Sequence, residues 1–199
     1  MEVLSQLMRL RQICCDPALC FEDYTGESAK LETCVSLIAS ASAAGHKILL
    51  FSQFASMLER IRERLLQEGI SSHLLVGATP KEERSRMVQA FASDEVPVFL
   101  ISLKAGGTGL NLTAADIVIH YDPWWNVAAQ NQATDRAYRI GQEKPVTVYK
   151  LILKDTIEEN LLKLQNAKLA LAAQVVSEGM VSLGDLSQNE LMELFEQNP

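Results

Sequence analysis

The chain has 199 residues, of which 48% are hydrophobic, and its 18 basic and 25 acidic side chains give a formal net charge of −7. A chain of this length buries enough surface to fold without disulfides or a structural metal. Its composition excludes a disordered tail, a collagen-like fibre and a small disulfide-rich domain. It contains no apolar run of 18 residues and no signal-peptide pattern, so we expect no membrane partner.

The acidic net charge argues at first sight against nucleic acid as a partner, because domains that bind nucleic acid usually carry a basic excess. The charge is unevenly distributed along the chain, however. Residues 151–199 sum to −5, whereas residues 101–150 sum to +1. The overall sign therefore says little about any one surface.

The first half of the chain alternates helical and strand patterns. In order, the predicted elements are helix 3–14, irregular loop 16–27, helix 28–44, strand 47–51, helix 55–67 and strand 72–76. Ser28 is the expected N-cap of its helix and Gly45 the expected stop. Thr79, Pro80 and Glu82 match a capping box at the start of the next helix.

The second half continues the alternation. Its predicted elements are strand 96–102, strand 116–121, helix 127–138, strand 146–152, helix 156–176 and a short helix that begins at 187–190. Strands that alternate with helices predict an α/β fold with a parallel sheet covered on both faces. We expect a linking helix and loop over 1–27, the α/β lobe over 28–155 and a helical extension over 156–199.

Polar and glycine-rich segments follow the predicted strands, at the edge where open α/β sheets bind ligands. These segments are 52–54, Gly77, 102–112 and 122–126. In the third of them, Gly106, Gly107 and Gly109 can present backbone N–H groups to a phosphate, with Lys104 adding a positive charge. A turn that needs only positive φ is the alternative. The residue order differs from G-x-x-x-x-G-K-[ST], so this is not the main triphosphate loop.

Gln132, Arg136 and Arg139 follow the spacing i, i+4, i+7, which on a helix places all three on one face. Two neighbouring guanidinium groups suit a cluster of phosphoryl oxygens and can stabilise the charge of phosphoryl transfer. A solvated helix face is the alternative. Trp124 and Trp125 are adjacent at a strand end, so we expect at most one in the core, and an exposed indole there can stack on a base.

The remaining candidate groups predict no further chemistry. The four cysteines lack C-x-x-C pairs, so we expect reduced thiols rather than a zinc site or disulfides. The three histidines are scattered along the chain, and we expect no metal site.

Four segments together resemble, in order and spacing, helicase motifs four, five and six of the SWI/SNF-type ATPases, which belong to helicase superfamily two. They are residues 47–54, 102–112, 122–126 and 132–142. The string QATDRAYRIGQ, which begins at Gln132, is the most specific of them, and residues 10–14 also resemble the family's segment before this lobe. The absence of large insertions resembles the compact bacterial members.

The resemblance implies the second, C-terminal RecA-like lobe of a two-lobed, ATP-dependent translocase on double-stranded DNA. It implies that Arg136 and Arg139 are arginine fingers, which reach ATP and Mg²⁺ held mainly by an N-terminal lobe. It also implies that Gln132, Gly109 and Asn111 border the nucleotide. The residues that it places toward DNA are Ser52, Gln53, Lys104, Gly107, Thr108 and Trp125.

The same resemblance implies double-stranded DNA and an N-terminal RecA-like lobe of the same protein as partners, at the bacterial nucleoid in the cytoplasm or in a eukaryotic nucleus. Three residues depart from the family pattern: Asp16 for a histidine, Val127 for a proline and Gln130 for an acidic residue. The chain contains no Walker sequence and no Asp-Glu-x-His box, so we expect it to hydrolyse no ATP by itself.

Two other functions stay open from the sequence. The chain can be the C-terminal lobe of a DNA or RNA helicase that separates strands. It can also be a non-catalytic interaction module that binds a protein partner through the C-terminal helices, with the leucines of 156–176 as the docking surface.

Overall fold

The computed structural model describes residues 2–105, 111–124, 126–138, 142 and 144–178. The chain divides into two compact units, Met1–Ile152 and Leu153–Pro199. The short helix predicted to begin at 187–190 lies outside the described residues. No described helix is both long and apolar enough to cross a membrane.

The helices and strands follow the predicted alternation, with boundaries shifted by at most four residues. The helices are α1 (Glu2–Cys15), α2 (Ala29–Ala43), α3 (Ala55–Gln67), α4 (Lys81–Ser93), α5 (Val127–Thr134) and α6 (Ile157–Glu178). The strands are β1 (Ile48–Ser52), β2 (Ser72–Leu75), β3 (Val98–Ser102), β4 (Ile117–His120) and β5 (Thr147–Lys150). The predicted loop after α1 contains a short 3₁₀ turn, Pro17–Leu19.

The five strands form one sheet in the order β2-β3-β1-β4-β5, and every neighbouring pair is parallel. Leu50 of β1 lies opposite Leu100 of β3 and Ile119 of β4. All five residues of β1 are buried, as the continuous apolar run predicts. The α/β fold with a parallel sheet is therefore confirmed.

Alternate residues of the central strands supply two apolar layers, because successive side chains of a strand point to opposite faces. On one face, Leu50 belongs to a cluster with Ile38 of α2 and Ile61 of α3. On the other face, Leu49 belongs to a cluster with Phe91 of α4 and Ala133 of α5. Helices thus cover both faces of the sheet.

The two predicted N-caps differ in outcome. Ser28 caps α2 as expected, since its hydroxyl accepts a hydrogen bond from the Leu31 N–H at 3.4 Å. The capping box at α4 is wrong: Pro80 is the N-cap, with ψ of 151°, and the helix begins at Lys81. The Thr79 hydroxyl instead accepts from the Val76 N–H at 3.1 Å, which closes the turn that follows β2.

Candidate functional site

The carboxyl ends of the central strands meet at one edge of the sheet. Ser52, the last residue of β1, lies opposite Ser102, the last residue of β3. On the other side of β1, the Tyr121 N–H donates to the Phe51 carbonyl at 2.9 Å, so Asp122 emerges beside Ser52. The predicted juxtaposition of segments 52–54, 102–105 and 122–124 is therefore present.

A buried polar network joins these segments around Asp122. The Ser52 hydroxyl donates to Oδ1 of Asp122, and the Gln53 N–H donates to the two carboxylate oxygens at 3.3 and 3.4 Å. Nη2 of Arg11, from α1, lies 3.9 Å from Oδ2 of Asp122 and donates to the Pro123 carbonyl. Both charged side chains are at most 2% exposed. Burial raises the pKa of Asp122 to about 6, against the lowering effects of the Ser52 hydrogen bond and the charges of Lys30 and Arg11.

The burial of Ser52 corrects its expected role. Its side chain has no exposed surface, and its hydroxyl also accepts from the Phe54 N–H at 3.2 Å. Because this hydroxyl is buried and makes hydrogen bonds both as a donor and as an acceptor inside the lobe, it does not contact DNA at that position. Ser52 instead orients the Asp122 carboxylate and the start of α3.

Helix α5 is anchored to the end of β4 by two side chains. His120 is 2% exposed, and its Nε2 lies 2.8 Å from the Thr134 hydroxyl at the end of α5. That hydroxyl donates to the Gln130 carbonyl at 3.3 Å, so the imidazole donates and Thr134 accepts. Burial lowers the pKa of His120 to about 4. Oε1 of Gln130 also accepts from the Trp124 N–H at 3.3 Å.

The structure corrects the predicted helix that carries the arginines. Helix α5 ends at Thr134, four residues before the predicted end, and a turn follows. Gln132 is exposed on α5, whereas Arg136 lies beyond the helix and is 2% exposed. The two side chains therefore do not project from one helix face.

Three described residues after α5 make hydrogen bonds that the sequence did not predict. The Arg136 carbonyl accepts from the Leu112 N–H at 3.2 Å, and the Tyr138 hydroxyl donates to the Val146 carbonyl at 2.7 Å. Nε2 of Gln142 donates to the carbonyls of Thr113 and Ala115 at 3.0 and 2.7 Å. The only sequence signal for Gln142 is its place at the end of the most specific string.

The other predicted site residues fall into two groups. At the carboxyl edge, Lys104 follows β3 and is exposed, and Gln53 follows β1 and is half-buried. Asn111 is also exposed and precedes β4. Trp124 is half-buried and packs against the second apolar cluster. The predicted residues that lie outside the described part of the chain are Gly106, Gly107, Thr108, Gly109, Trp125 and Arg139.

The described residues include no group of three or more His, Cys, Asp or Glu side chains that could hold a metal ion. All four cysteines are free; Cys15 and Cys34 are buried, and Cys14 and Cys20 are half-buried. Burial raises the pKa of Cys34 to about 12, so this thiol is not a nucleophile.

Residues 29–141 match the family model of the helicase conserved C-terminal domain. The chain belongs to this family. Among curated members, the chain is 45% identical over 202 residues to YwqA of Bacillus subtilis, whose name describes an ATP-dependent helicase/translocase. It is 34% identical over 211 residues to the SWI/SNF-related matrix-associated actin-dependent regulator of chromatin subfamily A member 1 of Mus musculus.

These alignments cover 97% and 98% of this chain, but only 22% and 20% of the two relatives. The chain thus spans about a fifth of the length of the curated relatives that it matches. The relatives include both bacterial helicases and chromatin regulators.

Solved structures of the same type confirm the RecA-like lobe. The C-terminal domain of the Sulfolobus solfataricus SWI2/SNF2 ATPase matches 99% of this chain and 82% of that chain, with 33% identity and a TM-score of 0.75. The core of that ATPase in complex with double-stranded DNA matches 99% of this chain and 42% of that chain, with 35% identity and a TM-score of 0.77. The predicted membership of the SWI/SNF-type family is confirmed.

Proposed function

We propose that the chain is the C-terminal lobe of an ATP-dependent translocase on double-stranded DNA, with residues 28–155 as the RecA-like lobe. The observation that carries this proposal is the match, over 99% of the chain, to a SWI2/SNF2 core solved with double-stranded DNA. The parent enzyme is a DNA-dependent ATPase. It acts at the nucleoid in a bacterium or in the nucleus of a eukaryote.

The ATP side of the proposal concerns the segment after α5. Arg139 reaches the phosphates of ATP bound mainly by the N-terminal lobe, where Mg²⁺ also lies. The buried Arg136 supports the segment from inside the lobe rather than projecting beside Gln132. Gln132 and Asn111 are both exposed, and we assign them, with Gly109, to the border of the nucleotide site.

The DNA side concerns the other segments of the carboxyl edge. Lys104 is exposed immediately beyond β3, and the half-buried Gln53 follows β1. We assign these two residues, with Gly107, Thr108 and Trp125, to the surface that contacts the DNA backbone. The Ser52 side chain is not part of this surface because it is buried.

The mechanism follows from assembly of two lobes around one nucleotide. ATP favours the closed arrangement because Arg139 contacts it only there, and a ligand shifts an equilibrium by its differential affinity for the two states. Closing and reopening change the distance between two grips on DNA, which produces stepwise movement.

The test uses the full-length protein with Arg139→Ala and, as a matched control, Arg62→Ala, which removes an exposed arginine of α3. Arginine fingers contribute about 10³ to 10⁵ in rate. We therefore expect Arg139→Ala to lower DNA-stimulated ATP turnover by about 10³-fold or more while DNA affinity is retained. Near-normal turnover of Arg139→Ala would show that the assignment is wrong.

A second assay separates the proposed activity from its alternatives. Displacement of a triplex-forming strand without separation of the duplex supports translocation. Separation of a duplex instead supports a strand-separating helicase. Loss of a bound protein after deletion of residues 155–199, with no ATP turnover in the full-length protein, supports an interaction module.

A further inference from the structure

Gln142 makes three hydrogen bonds through one half-buried side chain. Its Nε2 donates to the Thr113 carbonyl at 3.0 Å and to the Ala115 carbonyl at 2.7 Å. Its Oε1 accepts from the Lys144 N–H at 2.9 Å. A primary amide has two N–H donors, so both carbonyls can be satisfied at once, and the oxygen is used as well.

The segment that Gln142 contacts is the return of the glycine-rich loop to the sheet. Leu112 and Ala115 are 2% and 0% exposed, and the Asp116 N–H donates to the Lys47 carbonyl at 3.1 Å, immediately before β1. Residues 112–116 are therefore fixed to the interior of the lobe.

A second bond joins the same two segments. The Leu112 N–H donates to the Arg136 carbonyl at 3.2 Å, six residues before Gln142. Arg136 and Gln142 are thus both hydrogen-bonded to residues 112–115. Along the sequence, Arg139 is three residues from Arg136 and three residues from Gln142.

We propose that Gln142 is a positioning residue, which holds the arginine-bearing segment 136–142 to the return of the glycine-rich loop through the carbonyls of Thr113 and Ala115. This inference rests on the proposed function, because the position of the segment affects turnover only if Arg139 contacts the phosphates of ATP. The nearly isosteric Glu is the discriminating substitution. It places a carboxylate oxygen against two carbonyl oxygens, where the native amide donates.

The first experiment uses amide hydrogen exchange in this chain alone to test whether the Gln142 side chain holds residues 112–115. Gln142→Glu is expected to increase exchange at the Leu112 amide and over 113–116 by at least about 10-fold, because the partner of Leu112 is no longer held. Exchange in β1 stays unchanged. The matched control is Gln89→Glu, the same chemical change on the exposed face of α4, and it alters neither region.

The second experiment measures DNA-stimulated ATP hydrolysis in the full-length protein, well below the thermal unfolding midpoint of each variant. A group that acts through the transition-state contact lowers kcat and leaves KM for ATP nearly unchanged. We expect Gln142→Glu to lower kcat at least about 10-fold, with KM within about threefold of the native value. Gln142→Met keeps the side-chain volume but places no carboxylate against the carbonyls, so we expect it to lower kcat less than Gln142→Glu does.

The outcomes separate the two proposals. Faster exchange at Leu112 together with a selective fall in kcat supports the inference. Native kcat in Gln142→Glu, unchanged exchange at Leu112, or global unfolding of both Gln142 variants overturns it. Absence of ATP turnover in the unaltered full-length protein overturns the proposed function instead, while the exchange experiment still reports whether the Gln142 side chain holds residues 112–115.

Discussion

At the scale of single residues, the carboxyl edge contains two buried titratable groups whose pKa values move in opposite directions. Burial raises the pKa of Asp122 to about 6 and lowers that of His120 to about 4. One cause explains both shifts, since desolvation disfavours the charged form, which is the deprotonated acid but the protonated base. His120 is consequently a neutral donor to Thr134 at physiological pH.

The shift of His120 predicts a pH-dependent stability. Between the ordinary value of 6.5 and about 4, the unfolded chain binds a proton that the folded chain excludes. The contribution of His120 to the free energy of unfolding therefore falls as the pH decreases through this window, by about 1.4 kcal/mol per pH unit. The free energy of unfolding, measured with urea at a series of pH values, should depend less on pH in His120→Gln, with its slope smaller by that amount.

The control for this measurement is Thr134→Val. It removes the hydrogen bond at 2.8 Å but leaves a buried imidazole that still titrates, so the slope should persist at a lower overall stability. An unchanged slope in His120→Gln would contradict the prediction.

At the scale of elements, the sequence predicted the order and type of every described helix and strand, because periodicity and stop signals are local properties. The predicted α5 was four residues too long, and the prediction put Arg136 on an exposed helix face. The end of α5 depends on long-range bonds, such as that between the Leu112 N–H and the Arg136 carbonyl. Burial of Ser52 depends on Asp122, 70 residues away. Motif spacing identifies such residues but not the direction in which they point.

Helix α1 is joined to the lobe by contacts that sequence periodicity does not show. The buried Arg11 approaches Asp122 at 3.9 Å, and the Tyr121 hydroxyl donates to the Cys15 carbonyl at 2.9 Å. Removal of one partner from a buried ion pair leaves an uncompensated charge, which costs about 3–5 kcal/mol. We expect Arg11→Met to lower the free energy of unfolding by about that amount.

The matched control is Arg9→Met on the same helix. Arg9 is exposed, and its guanidinium carbon lies 5.6 Å from the ring centroid of Phe21. Exposed cation–π contacts contribute only about 0.5–1 kcal/mol, so this variant should unfold close to the native midpoint in urea. Equal losses in the two variants would refute a special contribution from Arg11.

At the scale of the whole molecule, the charge distribution sets an expectation for DNA binding. The excess of acidic residues belongs mainly to residues 151–199, and residues 101–150 sum to +1. With two or three phosphate contacts, affinity for duplex DNA should fall only about 10- to 40-fold between 50 and 200 mM salt. Fluorescence anisotropy of this chain with a labelled duplex measures that slope, and a much steeper one would contradict the assignment of few contacts.

The strand order also has a consequence for how the chain is made. Because β1 pairs with β3 and β4 while β2 pairs only with β3, no two strands of the described sheet can pair until Val98 has been synthesised. The β1 strand, whose first four residues are all apolar, emerges about fifty residues earlier. During translation it must therefore be shielded by α2 and α3 alone, or by a chaperone, since unpaired apolar strands of non-local folds are prone to aggregate.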